Sequence, residues 1–280
     1  MTKNDVLRLI RGRQAIFLLF SGSRQLPYVR CHAESCLDYA EVYADEKQAL
    51  SKARAIAKAD PRRKLRILKT DQQQRLRFFG ECLALGLDAV NFVDTDGSSL
   101  MMPIEDIVKE NPDAKDPAGR PLISNKTLQI CLVYLSQQLA LYSKPEEVEK
   151  ETLLPLDEEA MKNLRQASLY VEMVPLKPSG GDAGAGDGAE KDGVTRFVPL
   201  VLLHKALNKK LIPVFADYHE LTRGRQPGKN FSYRVFTYEE LVNAFLGGDR
   251  VDGIVINPTG ANLPIAADRA RALLTDPRFV

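Results

Sequence analysis

Two stretches, LDAVNFVDTDGSSLMMPI (residues 87–104) and VDGIVINPTGANLPI (residues 251–265), follow one plan. Each opens on an apolar residue and an aspartate, Asp88 or Asp252. Each then runs through a short apolar segment, turns on polar residues with a glycine, and resumes with Leu, Pro and Ile. A short apolar run closed by turn residues reads as a buried strand. Pro103 and Pro264 are expected in the first turn of a closing helix, where a missing N–H does no harm. The plan is read as a structural unit used twice.

Working outward, more of the two halves can be laid over each other. FLLFSGSRQLPYVRC matches PLVLLHKALNKKLIPVFA as apolar strand, basic turn and a second strand opened by Leu26-Pro27 or Ile212-Pro213. VYADEKQAL matches VFTYEEL, a strand that runs straight into a helix. Asp45 with Gln48, Asp217 with Glu220 and Thr237 with Glu240 have capping-box spacing. On this alignment Val42 pairs with Val235, 193 residues on, and Asp88 with Asp252, 164 on. The first half then holds 193 − 164 = 29 extra residues, the strand and helix of KLRILKT…RLRFFGECLALG.

Strand and helix patterns alternate along the chain, which places it in the α/β or α+β class. Expected are two tandem subdomains, 1–120 and 145–280, each a mixed sheet flanked by helices. Between them, 121–144 holds a helix capped by Ser124 or Asn125, with Leu128, Cys131, Leu132, Leu135 and Leu139 on one face packed between the halves. Residues 177–193, rich in Gly, Ala and Asp, are expected to form a flexible insertion in a hairpin. The segment lacks the Gly-Lys-Ser/Thr of a phosphate-binding loop.

LIPVFADYHEL, VFTYEEL and VDGIVINPTG resemble signatures of the SseB N-terminal domain family, named for enhanced serine sensitivity. The resemblance is best over Leu153–Leu274 and weaker over Ala15–Val108, where Asp94-Thr95-Asp96-Gly97 stands in for Asn257-Pro258-Thr259-Gly260. It implies a duplicated SseB-like scaffold and brings no catalytic residues with it.

A net charge of +2 gives no general case for a nucleic-acid partner. Four cysteines in 280 residues are not a disulfide framework, and the apolar run Ala15–Phe20 is too short for a secretion signal. No window is apolar enough for a membrane span. A cytoplasmic protein without a membrane or nucleic-acid partner is expected, and no cofactor is called for.

Candidate sites each meet a plainer explanation. Asn257, Pro258, Thr259 and Gly260 lie at a strand end, where α/β sheets bind ligands; a β-turn needs the same residues for its own geometry. Asp94, Asp96, Ser98 and Glu105 have EF-hand spacing, but Ser99 stands where a calcium loop needs Gly, so Asp94, Asp96 and Gly97 read as a polar turn. Cys31, His32 and Cys36 lack a second compact pair for zinc. His204 and His219 near Asp217 and Glu220 could pair as acid and base, though no nucleophile motif accompanies them. Arg62, Arg63, Lys64, Arg66, Lys69, Arg75 and Arg77 could form a basic patch for RNA or phosphate; a solvated surface explains them too. The leading expectation is a binding or adaptor protein for a protein or small-molecule partner. A hydrolase or transferase acting on a small metabolite is the alternative, and phosphate or RNA binding through 62–77 the third.

Overall fold

The computed structural model describes residues 1–12, 14–22, 26–142, 150–176, 197–225, 231–248 and 250–279. The first half runs α1 (Lys3–Arg11), β1 (Ile16–Ser21), β2 (Val29–Cys31), β3 (Asp38–Tyr43), α2 (Glu46–Ala59), β4 (Leu65–Thr70), α3 (Gln72–Ala84), β5 (Ala89–Val93), β6 (Ser99–Pro103) and α4 (Ile104–Ile107). Then comes α5 (Lys126–Leu139). The second half runs α6 (Lys150–Gln166), β7 (Ser168–Pro175), β8 (Phe197–Pro199), β9 (Leu202–His204), β10 (Lys209–Phe215), α7 (Tyr218–Thr222), β11 (Ser232–Thr237), α8 (Tyr238–Phe245), β12 (Gly253–Ile256), β13 (Leu263–Ala266) and α9 (Ala267–Thr275).

The protein is a mixed α/β structure with two mixed sheets flanked by helices. Strand order is β4-β1-β3-β5-β6 in one sheet and β11-β7-β10-β12-β13 in the other. In both, the third and fourth strands of that order run parallel and the other neighbours antiparallel. Register fixes the equivalence. Leu18 faces Val42 and Leu68 in the first sheet. Val171 faces Val214 and Arg234 in the second.

The strand-and-helix unit is therefore missing from neither half. Val42 corresponds to Val214 rather than Val235, and DYAEVYAD (38–45) to KLIPVFAD (210–217). The segment taken as extra, β4 and α3, has its counterpart in β11 and α8. Likewise LPYVRCH (26–32) answers VPLVLLH (198–204), because β2 pairs with β3 as β9 pairs with β10. Each half contains two places where a strand runs into a capped helix, and the short patterns matched one unit out of step. The helices carry part of the real difference in length: α2 has 14 residues and α7 has 5.

Other local readings change too. β1 and β2 do not form a full hairpin; only Phe20 and Pro27 bridge them. Within TRFVPLVLLH, the described residues 197–204 form two strands, β8 on β7 and β9 on β10. Pro264 lies in edge strand β13 opposite Val255 rather than in a helix, whereas Pro103 is the N-cap of α4. The α1 helix adds to the expected elements, and Thr2 and Asp5 form a full capping box at its start. Residues 177–193 lie outside the described residues.

The duplicated aspartates explain the opening stretch. Asp88 Oδ2 accepts from the Asp38 N–H at 2.8 Å, and the Asp88 N–H returns to Asp38 O. Asp252 does the same with Lys210, at 2.7 Å. The carbonyls of Asp88 and Asp252 accept from Ile104 and Ala267, at the starts of α4 and α9. Each aspartate thus pins the parallel strand pair and starts the closing helix.

One apolar cluster joins residues from both halves, with α5 crossing it through Leu128, Leu132, Val133 and Leu135. Polar side chains of α5 bind both sheets. Gln137 Oε1 accepts from the Val29 N–H at 2.9 Å, and Tyr134 donates to Asp38 Oδ1 at 2.5 Å. Towards the second sheet, Asn125 Nδ2 donates to the carbonyls of Ser168 and Ala216 at 2.8 and 2.5 Å. Asn125 is the N-cap of α5 by position, but its side chain is spent on this contact. Among the described residues no helix is long and apolar enough to cross a membrane.

Candidate functional site

A groove of about 710 Å3 opens between the halves. On β4, Arg66 and Leu68 alternate onto the face they share with Phe20 and Leu18 of β1. The helix α3, started by a capping box of Asp71 and Gln74, turns Phe78 inward. It places Arg77 and Glu81, one turn apart, on the groove flank. The opposite wall comes from the second half: Arg223, Gly224 and the turn Pro258–Gly260. Arg66 and Arg77 make no ion pair with a carboxylate among the described residues. The equivalent place on the second sheet, lined by Arg234, Val235, Thr237 and Asn243, takes its described walls only from β11 and α8.

Three charged residues tie the halves at the groove's base. Arg223 Nη1 donates to Glu81 Oε1 at 2.6 Å, and its Nη2 lies 2.7 Å from Glu220 Oε1. Glu220 is 1 % exposed, and burial pushes its carboxyl up to about 7 in spite of Arg223. Gly260 has no side chain because there is no room for one: a Cβ there would stand 2.6 Å from Glu220 Oε2. Burial, with the positive charges of Arg223 and Arg77, lowers His219 to about 4.

The predicted residues divide accordingly. Pro258, Thr259 and Gly260 line the groove. Asn257 does not: it is 1 % exposed, its Oδ1 accepts from the Ala216 N–H at 3.0 Å, and its Nδ2 donates to Gln129 Oε1 at 2.7 Å. Gln129 Nε2 in turn donates to Asp217 Oδ2 at 2.6 Å, while Asp217 Oδ1 caps α7. With φ at +47°, a conformation asparagine tolerates, Asn257 is a buried structural residue.

The basic patch dissolves. Arg75 is fully buried, donating to the carbonyls of Leu9, Ile10 and Gly12 at the end of α1. Arg62 and Arg63 pair with Asp60. Lys64, although exposed, lies outside the groove lining, and only Arg66 and Arg77 of the cluster reach it. A charged run on a strand and a helix is split by the direction of each side chain, which composition does not record.

Asp94 and Asp96 bind their own turn, accepting from the N–H groups of Thr95 and Ser98, and Gly97 adopts φ +84°. The Gly97 and Gly260 N–H groups make the same turn bond, to the carbonyls of Asp94 and Asn257. Asp94, Asp96 and Gly97 are not brought to the groove. Among the described residues no three of His, Cys, Asp and Glu are placed to hold a metal ion. His204 sits opposite Lys209 at the far end of β10 from Asp217, about 25 Å away along the strand. The two histidines therefore do not share a site. Sequence reasoning missed Glu81 and Arg223; the halves had to be docked before either could be seen as a partner.

No protein-family model matches the chain, and no curated protein matches it. Tic22 from Plasmodium falciparum aligns with a TM-score of 0.24 and 10% identity over 96% of this chain and 95% of that one. Anabaena Tic22 (protein transport) aligns with 0.22 and 9% over 99% of both. At these scores neither likeness carries an argument about fold or function.

Proposed function

We propose that this is a non-enzymatic binding or adaptor protein that holds its ligand in the groove between its halves. The observation that carries the reading is the groove's make-up: walls from both halves, an apolar floor, and two arginines without acidic partners among the described residues. Few convergent polar groups over an apolar surface are what a binding pocket needs. Glu220, the most perturbed acid nearby, faces Gly260 rather than the open groove, which argues against its use on a substrate. The SseB-like motifs fit a duplicated scaffold of this kind. Four free cysteines suit a reducing, cytoplasmic setting.

The test is a photo-crosslinking amino acid placed at Leu68, which is 44 % exposed in the groove, and at Leu203, exposed outside it. After irradiation in cells, adducts should form at position 68 well above the level at position 203. Equal labelling at the two positions would contradict the groove as binding site.

A further inference from the structure

The groove has one wall that is main chain. Arg66, Ile67 and Leu68 are consecutive on β4, and all three border it. Side chains alternate along a strand, and that of Ile67 packs on the opposite face with Leu65, Ala53 and Ile56. What Ile67 turns to the groove is therefore its backbone. The hydrogen bonds agree. The Gly22 N–H donates to Lys64 O at 2.6 Å, next in register after Ser21 and Leu65. That marks the positions of Lys64, Arg66 and Leu68 as those bonded to β1, and leaves the N–H and C=O of Leu65, Ile67 and Lys69 pointing outward. Among the described residues, β4 is the end strand of its sheet.

Resting on the groove reading, we infer that the ligand is an extended peptide segment that adds to β4 as a further strand. An added strand would place every second side chain on the groove face, beside Arg66 and Leu68. The segment recognised is thus one with an acidic residue and an apolar residue two positions apart, the acid meeting Arg66 and Arg77. Main-chain bonds supply affinity and the alternate side chains supply selection. A second copy of this chain is the wrong occupant, because two β4 edges would set Lys64, Arg66 and Lys69 against their own kind.

The probe is a short fluorescein-labelled peptide of β-branched residues carrying one glutamate and one leucine two positions apart, titrated against the full chain by fluorescence anisotropy. Saturable binding is expected. It should weaken by about tenfold or more with Arg66→Ala plus Arg77→Ala, and when lysine replaces the peptide's glutamate. A peptide N-methylated on the edge facing β4 keeps its side chains and should lose binding by a similar factor, as should an Ile67→Pro variant. The methylated peptide decides the matter with wild-type protein if that variant fails to fold. Equal binding of methylated and unmethylated peptide overturns strand addition. So does a doubled mass in sedimentation of the protein alone. Specific adducts at position 68 without peptide binding, or adducts of a small molecule, overturn the peptide inference and leave the groove reading standing. Absence of both removes the two together.

Discussion

A methyl group at Gly260 would stand 2.6 Å from Glu220 Oε2 and 2.9 Å from Oε1. Glu220 is held in place by burial and Arg223, so it has little room to yield. Gly260→Ala should cost about 1–3 kcal/mol, the usual range for overpacking, measured by urea denaturation. The same change in a Glu220→Ala background should cost much less; an equal cost in both would mean the contact is not the cause. Glu220 also sets a pH dependence. Its carboxyl titrates near 4.5 when free and about 7 when folded, so the fold favours the protonated form. That contribution is complete below about pH 4.5 and is lost as pH rises through about 7. His219 acts in the other direction: lowered from 6.5 to about 4, it contributes above 6.5 and loses that contribution as pH falls through 4. Glu220→Gln should remove the fall in stability between pH 4.5 and 7, seen in urea melts at a series of pH values. An unchanged profile would refute the assignment.

The elements are held to one another by buried polar side chains, and these can be tested singly. Arg75 of α3 takes the carbonyls at the end of α1, which have no partners within the helix. Arg75→Met should cost about 2 kcal/mol or more in urea denaturation. Arg75→Lys should restore part of the loss, because all three bonds come from the single nitrogen Nη1, which an ammonium can replace. Loss of stability no greater than that of a surface arginine would return Arg75 to the basic patch. Gln129 of α5 joins Asn257 to Asp217. Gln129→Ala strands both groups in the interior and should cost about 2–4 kcal/mol, with strong coupling to Asn257→Ala in a double-mutant cycle. These pairings show where element-level reading stops. The capping boxes of α3 and α8 can be seen in the chain, because a cap is a local pattern. The job of Arg75 cannot, because its partner lies more than sixty residues away.

At the scale of the molecule, α5 with its N-cap Asn125 is hydrogen-bonded to both sheets and lies in one apolar cluster with them. The two halves should therefore unfold together. Native-state hydrogen exchange should give similar opening free energies for amides of β3 and β10. Gln137→Ala, which strips α5 of its contact with β2, should lower the values of both. Loss of protection confined to β3 would show that the halves are independently stable.

The alternation of strand and helix, and with it the mixed α/β class with two sheets flanked by helices, is readable in the chain, because periodicity and turn residues act over a few positions. The resemblance between Leu87–Ile104 and Val251–Ile265 was also real, down to the aspartate that pins each parallel pair. The alignment between those landmarks slipped by a whole unit, since two strand-to-helix junctions in each half look alike and only strand register tells them apart. The same division applies to the site. Chemistry along the chain singled out a turn and a run of arginines, and packing then decided which members face outward. Arg66, Arg77 and Gly260 reach the groove, while Arg75 and Asn257 are consumed inside. Local sequence specifies what an element is; which of its faces meets the other half depends on contacts between residues far apart in the chain, and only the folded molecule contains those.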